Sequence, residues 1–265
     1  MWRTANRLHH ALAGHELTAT DLRHPRLALV DLAGSRVTEV VPRGKHLLIR
    51  TSAGKTLHSH LRMDGNWWIF GADERWRGPA HQIRVVLRTE GPVAVGYRLH
   101  DLAVVATGQE ASLVGHLGPD LLGPDWDAEE AISRLLADPK RPIGLALLDQ
   151  RNLAGIGNLY RAETLFLRGV DPWTPAGEVE DLPALVTMAQ RLLVANRDRV
   201  QQSTTGSLLR GQEQWVYGRR GRACRRCGGP VKAAPLGEGA EGTDAERTVF
   251  WCPRCQPRGA QPGTP

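Results

Sequence analysis

Residues 147–163 read LLDQRNLAGIGNLYRAE, an apolar helix end, a glycine-bearing turn and the start of a second helix. Gly155 and Gly157 permit close backbone approach, and the N–H groups at the start of the second helix would suit a phosphate. Asn158 adds a side-chain donor at the same point. An ordinary tight corner between helices has the same composition, so the surrounding sequence must distinguish a binding turn from a structural one.

The sequence on both sides of this turn is helical. Periodic apolar positions predict three helices, over residues 142–150, 157–168 and 183–200. A fourth helix is predicted before them, with Asp127 and Glu130 as its capping pair. The second half of the chain is therefore expected to be α-helical.

The first half of the chain is β-rich instead. After a helix predicted over residues 2–13, short β runs divided by turns such as Ala53-Gly54 extend to about residue 107. We expect these runs at 27–32, 36–41, 46–51, 66–70, 82–90 and 103–107. Such spacing is typical of a sandwich or barrel. The segment 117–124 carries two Gly and two Pro and is interpreted as an interdomain linker.

All four cysteines fall in two Cys-x-x-Cys pairs, Cys224/Cys227 and Cys252/Cys255. Four thiolates at this spacing can close the tetrahedron that structural zinc prefers. The 24 residues between the pairs exceed the usual zinc-ribbon gap, and a Gly/Glu-rich stretch over 236–246 can lengthen a hairpin tip without moving the ligands. We expect one zinc ion per chain, and a closed four-thiolate site makes it structural. Four unrelated buried cysteines are the alternative.

The charge of the chain favours a polyanionic partner. The formal net charge is +6, and Arg219, Arg220, Arg222, Arg225 and Arg226 surround the first cysteine pair. Arginine pairs well with phosphate oxygens, although a charge run of this kind is also found on ordinary solvated surfaces. The longest apolar run is far shorter than the roughly 20 residues of a membrane span, and no secretory h-region opens the chain. We therefore expect a cytoplasmic protein with no membrane contact.

Several segments together resemble the bacterial formamidopyrimidine-DNA glycosylase and endonuclease VIII family, which excises oxidised bases and then cuts the strand. The residues that carry the resemblance are 148–158, the cysteine pairs, Val216-Tyr217-Gly218-Arg219, Arg43-Gly44-Lys45 and Ser59-His60-Leu61-Arg62-Met63-Asp64-Gly65. They occur in the family's order over about residues 2 to 256. The 148–158 stretch is similar to that family's helix-two-turns-helix motif, and the cysteine pairs to its zinc finger.

The resemblance implies an α+β fold with an N-terminal β-sandwich, a helical helix-two-turns-helix domain and a zinc-ribbon finger. The four parts are expected over residues 1–118, 125–215, 216–257 and, as a disordered tail, 258–265. The implied partner is damaged double-stranded DNA, bound by a monomer on the nucleoid.

The resemblance also assigns roles to single residues. It makes Lys45 and Arg247 the residues that assist sugar-phosphate elimination, and Asn158 a phosphate-gripping residue. Met63 would fill the gap left by an everted base, and His116 and Arg219 would contact DNA. Without the family, Lys45 would be a solvated strand-edge lysine, Arg247 a surface arginine and Met63 a core methionine.

The start of the sequence departs from the family. The family's nucleophile is the amine of an N-terminal proline followed by glutamate, whereas this sequence opens Met1-Trp2-Arg3. We expect a mis-assigned start, with a Pro-Glu-Gly-Asp-Thr-like segment before Trp2 and Met1 standing at the position of a valine. If Met1 is the true start, the alternative is a non-catalytic DNA-damage-binding protein. A zinc-ribbon protein acting on RNA is a third reading, which Lys45 and Met63 disfavour.

A second departure concerns the substrate. The oxidised-guanine branch has an Asp-Pro-Arg-Arg-Phe wedge, whereas here Asp101 is followed by Leu102-Ala103-Val104-Val105. Together with Phe250-Trp251 before the third cysteine, this makes the chain more similar to the endonuclease VIII branch. That branch prefers oxidised pyrimidines and abasic sites, so we expect a glycosylase with β/δ-elimination lyase activity on such lesions.

Overall fold

The fold was analysed in a computed structural model that describes residues 1–62, 64–236 and 247–258, with Arg247 described by its backbone alone. The chain divides into two compact units, Met1–His116 and Leu117–Pro265. No helix in the described part of the chain combines the length and the apolar character that crossing a bilayer would require.

The first unit contains two four-stranded antiparallel sheets. One has the strand order β1-β6-β7-β5 and the other β2-β3-β4-β8. The elements in chain order are α1 (Trp2–Leu12), β1 (Ala19–Leu22), β2 (Val37–Arg43), β3 (His46–Thr51), β4 (Lys55–His60), β5 (Asn66–Phe70), β6 (Ile83–Arg88), β7 (Val93–Tyr97), β8 (Asp101–Ala106) and α2 (Ala111–Val114).

One hydrophobic core joins the two sheets and α1. Because side chains alternate across a strand, Leu47 and Ile49 of β3 reach the same core as Val85 and Leu87 of β6. Leu8, on the buried face of α1, packs with them. Two sheets packed face to face over a shared core confirm the predicted β-sandwich.

The segment predicted as a strand over residues 27–32 is not a strand. Pro25–Leu27 forms a 3-10 turn, and Leu29 is fully exposed. The His24 ring accepts a hydrogen bond from the Arg26 N–H and proline fixes the first turn position, so the backbone curls before the apolar run begins. The sequence did not predict strands β1, β4 and β7, and all three pair within the sheets, β7 regularly with β5 and across a register shift between Ile83 and Val85 with β6.

In its described residues, the second unit contains four α-helices and one β-hairpin. Its elements are α3 (Ala128–Leu136), α4 (Ile143–Ala146), α5 (Asn158–Arg168), α6 (Leu182–Asn196), β9 (Lys232–Leu236) and β10 (Arg247–Trp251). The predicted cap of α3 is confirmed, because the Asp127 carboxylate accepts the Glu130 N–H at 3.0 Å. Helix α4 is shorter than the predicted 142–150. The helical core is built from apolar side chains of all four helices, including Leu135, Ile143, Leu165 and Leu185.

The segment interpreted as a linker packs into this unit. Residues 117–121 are buried. The Gly118 N–H donates to the Gln150 carbonyl at 2.9 Å, and the Ala154 N–H donates to the Pro119 carbonyl at 2.8 Å. The glycines and prolines of this segment therefore allow it to pack closely against the turn after α4. The segment is part of the second unit and is not a flexible linker. Of the predicted disordered tail, residues 259–265 lie outside the described residues.

Candidate metal centre and nucleic-acid contacts

The antiparallel β9–β10 hairpin brings the two cysteine pairs together, because Lys232 and Trp251 pair at its base and one Cys-x-x-Cys turn flanks each strand. The Sγ atoms of Cys224 and Cys255 are 3.8 Å apart, and those of Cys227 and Cys252 are 3.5 Å apart. All four sulfur atoms lie within 4.8 Å of one another. Four thiolates around a tetrahedral ion with bonds of about 2.3 Å stand about 3.8 Å apart, so the set fits one metal ion.

The second cysteine turn is attached to α5 by a buried amide. The Gln256 side chain is fully buried; its Oε1 accepts the Cys252 N–H at 2.9 Å and its Nε2 donates to the Val170 carbonyl at 2.8 Å. Val170 follows the end of α5. The metal turn is thereby held against the helix that begins at Asn158. No sequence pattern indicated Gln256, because its partner lies 86 residues away.

Asn158 connects the start of α5 to the hairpin. Its Nδ2 donates to the Thr248 carbonyl at 3.0 Å, and its Oδ1 accepts from Arg161 Nη2 at 2.5 Å. Arg161 is fully buried and also donates to the Gly144 carbonyl of α4 at 3.3 Å. Strand β10 therefore starts, at Arg247, beside the residue predicted to grip phosphate. The Arg247 side chain lies outside the described residues.

The turn before α5 is held by one amide side chain. Gln150 Oε1 accepts the Gly155 N–H at 3.0 Å, while its Nε2 donates to the carbonyls of Leu148 and Ile156 at 2.9 and 3.1 Å. Gly155 has φ +102°, a backbone conformation that L side chains rarely adopt. The turn thus requires glycine for its backbone shape as well as for any close approach of a ligand.

Glu163 is a buried carboxylate that the sequence did not single out. It accepts the N–H groups of Trp215, Val216 and Tyr217, each at 2.8 Å, and the hydroxyl of Thr204. These three backbone groups lie at residues 215–217, where the finger expected over residues 216–257 begins. The sequence shows only that Glu163 is an acidic residue within a predicted helix, and this does not identify its hydrogen-bond partners.

Arg219 lies in the same segment and donates hydrogen bonds to two backbone carbonyls that flank it. Its Nη1 donates to the Trp215 carbonyl at 2.5 Å and its Nη2 to the Ala223 carbonyl at 2.9 Å. Burial, together with the nearby Arg225 and Arg222, lowers the pKa of Arg219. Arg220 and Arg222 are exposed. The basic cluster therefore combines arginines that hold the finger's backbone with arginines that face solvent.

Lys45 and His116 both lie near the start of β3 in the first unit. Lys45 is half-buried in the turn between β2 and β3, and the next residue, His46, has its ring centroid 6.2 Å from that of the exposed His116. His58 and His60 of β4 surround His46 as well. Sequence reasoning missed this group, because strand register brings His46 opposite His60 and diagonal to His58.

The loop after β4 is anchored on β8. The Arg62 guanidinium donates to both carboxylate oxygens of Asp101, at 2.6 and 2.9 Å, and the Arg62 N–H donates to His60 Nδ1 at 3.0 Å. Arg62 has φ +47°, the left-handed region. Met63 lies outside the described residues, so its predicted role remains a prediction.

Comparison with known proteins gives matches to both units. The formamidopyrimidine-DNA glycosylase N-terminal domain model matches residues 2–103, and the formamidopyrimidine-DNA glycosylase H2TH domain model matches residues 117–205. A probable endonuclease 8 2 of Streptomyces coelicolor is 57% identical over 262 residues, covering 97% of this chain and 92% of the relative. The DNA-(apurinic or apyrimidinic site) lyase Nei2 of Mycolicibacterium smegmatis is 44% identical over 256 residues, covering 97% and 96%.

Solved structures share the fold. The chain resembles Lactococcus lactis formamidopyrimidine DNA glycosylase, crystallised non-covalently bound to DNA with an abasic site, with a TM-score of 0.79 and 21% identity. The match covers 97% of this chain and 99% of that structure.

Proposed function

Because the chain belongs to the formamidopyrimidine-DNA glycosylase and endonuclease 8 family, we propose that it is a base-excision-repair DNA glycosylase with abasic-site lyase activity. This membership confirms the resemblance that residues 148–158 and the cysteine pairs carried. The observation that supports the activity most strongly is the end-to-end match to a relative named as an abasic-site lyase. Its substrate is damaged double-stranded DNA, which it binds as a monomer in the cytoplasm on the nucleoid.

Lys45 and Arg247 are the residues proposed to assist elimination, and Asn158 is proposed to hold phosphate. Two observations support this. Lys45 sits in the turn directly before His46, whose ring centroid is 6.2 Å from that of His116, so an amine and two imidazoles lie at one end of β3. Asn158 is hydrogen-bonded to Thr248, the residue after Arg247, so the two proposed phosphate contacts are mechanically linked.

The metal in the finger is proposed to be zinc. A cluster of four sulfur ligands with separations near the tetrahedral value suits Zn²⁺, and thiolates select it over oxygen-preferring cations. With all four positions taken by protein ligands, the ion supplies folding energy and no chemistry at the reacting sugar. Cys224, Cys227, Cys252 and Cys255 would hold it.

Oxidised pyrimidines and abasic sites are the proposed substrates. The segment that carries a wedge in the oxidised-guanine branch is here the regular strand β8, paired with β4 from His60–Asp101 to Lys55–Ala106. Asp101 itself is engaged by Arg62. A strand paired along its whole length leaves no inserted loop at this position, in agreement with the endonuclease VIII branch.

The proposed function is tested by incubating the gene product from its own cells with duplex DNA that carries one abasic site. We expect strand cleavage by β/δ-elimination and, with borohydride, a covalent protein–DNA adduct, since only an imine can be reduced to one. The mass of the N-terminal peptide is read from the same preparation. Binding to abasic duplex without cleavage or adduct would instead identify a damage-binding protein.

Substrate choice and the role of Lys45 are tested in the same assay. Duplexes with thymine glycol should be processed faster than duplexes with 8-oxoguanine, and equal or reversed rates would contradict the proposed branch. Lys45→Gln should lower the elimination rate by about a hundredfold or more, the size of a typical acid–base contribution. Lys55→Gln, which changes an exposed lysine of β4, is the matched control.

A further inference from the structure

Two imidazoles of the first unit form a hydrogen-bonded pair within the sheet. His46 Nδ1 and His58 Nε2 are 2.7 Å apart, and the two rings stack with centroids 5.0 Å apart and planes 25° apart. His58 is only 6% exposed. His46 directly follows Lys45, which is proposed above to assist elimination, and its ring centroid is 6.2 Å from that of His116, which is predicted to contact DNA.

The hydrogen bond limits how many protons this pair can bind. One of the two facing nitrogens must carry the proton and the other must accept it. A single extra proton can enter at an outer ring nitrogen and leave a charge-assisted hydrogen bond, which is stronger than the neutral one. A second extra proton would put two N–H groups against each other. The pair is therefore built to take up one proton, shared between two coupled rings.

The surroundings keep the pair neutral in the free protein. Burial first, and then His58, His60 and His116, lower the pKa of His46 to about 3, and burial likewise lowers the pKa of His58. The acid that faces the pair is Asp101 of β8, which raises the pKa of both rings by less than burial lowers it and which is also paired with Arg62.

The other neighbours of the pair, His60 and Lys45, carry no negative charge that would favour a proton on it. His60 Nδ1 accepts the Arg62 N–H, which places the proton of neutral His60 on its other nitrogen. Lys45 adds a cation next along the chain. Asp101 is the acid named beside the pair and it shares its charge with Arg62, so a DNA phosphate would bring an additional negative charge.

We propose that the His46–His58 pair is a proton-uptake site that couples DNA binding to pH, taking up one proton when backbone phosphates approach Lys45 and His116. This proposal rests on the function proposed above. A nearby phosphate favours the cationic form of an imidazole, so the pair's affinity for a proton rises in the complex. A group with a raised pKa in the complex strengthens binding at low pH, and that gain is lost as pH rises through the bound-state value.

The expected signature is a dissociation constant that depends on pH. For one proton taken up, Kd weakens by about tenfold per pH unit between the free and bound values. The measurement is fluorescence anisotropy at constant ionic strength, from about pH 5 to pH 8, where unperturbed histidines also titrate. The probe is a duplex with a tetrahydrofuran abasic-site analogue, which the lyase cannot cleave.

Variants separate the pair from other histidines. His58→Gln should flatten the pH dependence while leaving binding at about pH 8 within a few-fold of wild type, because the pair is neutral there. His81→Gln, which changes an exposed histidine of the other sheet's margin, is the matched control and should keep the wild-type slope. Calorimetry in buffers of different ionisation enthalpy measures the protons taken up by the unmodified protein, so the test does not depend on the variant folding.

Each outcome of these measurements supports or overturns the proposal. Proton uptake near one at low pH that disappears in His58→Gln supports the proposal. Tight binding without proton uptake, or with the same uptake in His58→Gln, overturns it and leaves the proposed function intact. Failure to bind the abasic duplex at every pH overturns the proposed function, and this inference with it.

Discussion

Replacing Glu163 with glutamine should weaken the second unit, because this buried carboxylate accepts three backbone N–H groups. In the native protein Oε1 accepts the Val216 and Tyr217 N–H groups and Oε2 accepts the Trp215 N–H, all at 2.8 Å. The glutamine amide keeps one accepting oxygen but turns an NH₂ group toward the Trp215 N–H. One donor is left buried and unsatisfied, and the remaining hydrogen bonds lose their ionic component.

The magnitude follows from these contacts. An orphaned buried donor costs about 1–3 kcal/mol, and hydrogen bonds to a charged group are worth roughly 1 kcal/mol more than neutral ones. We therefore expect Glu163→Gln to lower the free energy of unfolding by about 2–4 kcal/mol. For a chain of this size that corresponds to a fall in Tm of roughly 5–15 °C.

The assay is urea unfolding followed by tryptophan fluorescence, since Trp215 itself stacks on Phe166 with ring centroids 5.6 Å apart. The matched control is Glu180→Gln, an exposed acid in the same unit, which should stay within about 0.5 kcal/mol of wild type. If Glu163→Gln is as stable as Glu180→Gln, the reasoning that assigns the finger's attachment to this carboxylate is wrong.

Three further changes have defined outcomes. Cys227→Ser should reduce the metal retained after gel filtration from one ion per chain to a small fraction, measured by elemental mass spectrometry, and full retention would contradict a four-thiolate site. Gly155→Ala should cost about 1–2 kcal/mol in thermal unfolding because φ is +102°, whereas Gly108→Ala, with open space around its Cα, should be nearly neutral. Arg151 and Arg141 hold the pKa of Asp149 far below its usual 3.8, so the stability it adds is present above that pH and lost in acid. Asp149→Asn should therefore flatten the decline of urea stability below about pH 4, and an unchanged decline would rule this pair out as its cause.

The local sequence pattern was sufficient to predict those elements in which the interacting residues are close together in the sequence. The spacing of Cys224 and Cys227 predicts a metal-binding turn, and the structure clusters the four cysteines as one metal ion would require. Asp127 three residues before Glu130 predicts a helix cap, which the structure contains. The run at 27–32 was misread because apolar composition outweighed the turn-forming Pro25 before it. Strand β4 was missed because its side chains are buried on both faces, which removes the alternation that marks a half-exposed strand.

The candidate site was predictable in part for the same reason. Residues with a motif around them, such as Lys45 and Asn158, could be proposed from sequence. Glu163, Gln256 and the His46–His58 pair could not, because each acquires its role from a partner brought close only by the tertiary fold. Glu163 meets backbone groups more than fifty residues away, and no periodicity in the sequence encodes such a distance.

The hydrogen bonds that attach the hairpin to α5 determine how the second unit unfolds. Asn158, Glu163 and Gln256 connect the finger to the start, the middle and the end of α5. The Glu163 carboxylate and the Gln256 amide are fully buried, and both would lose hydrogen-bond partners if the finger separated from the helix. Loss of the metal would therefore propagate into the helical core as one cooperative transition. A chelator, which removes only the ion that the four sulfur atoms hold, would therefore act as a denaturant of the whole second unit.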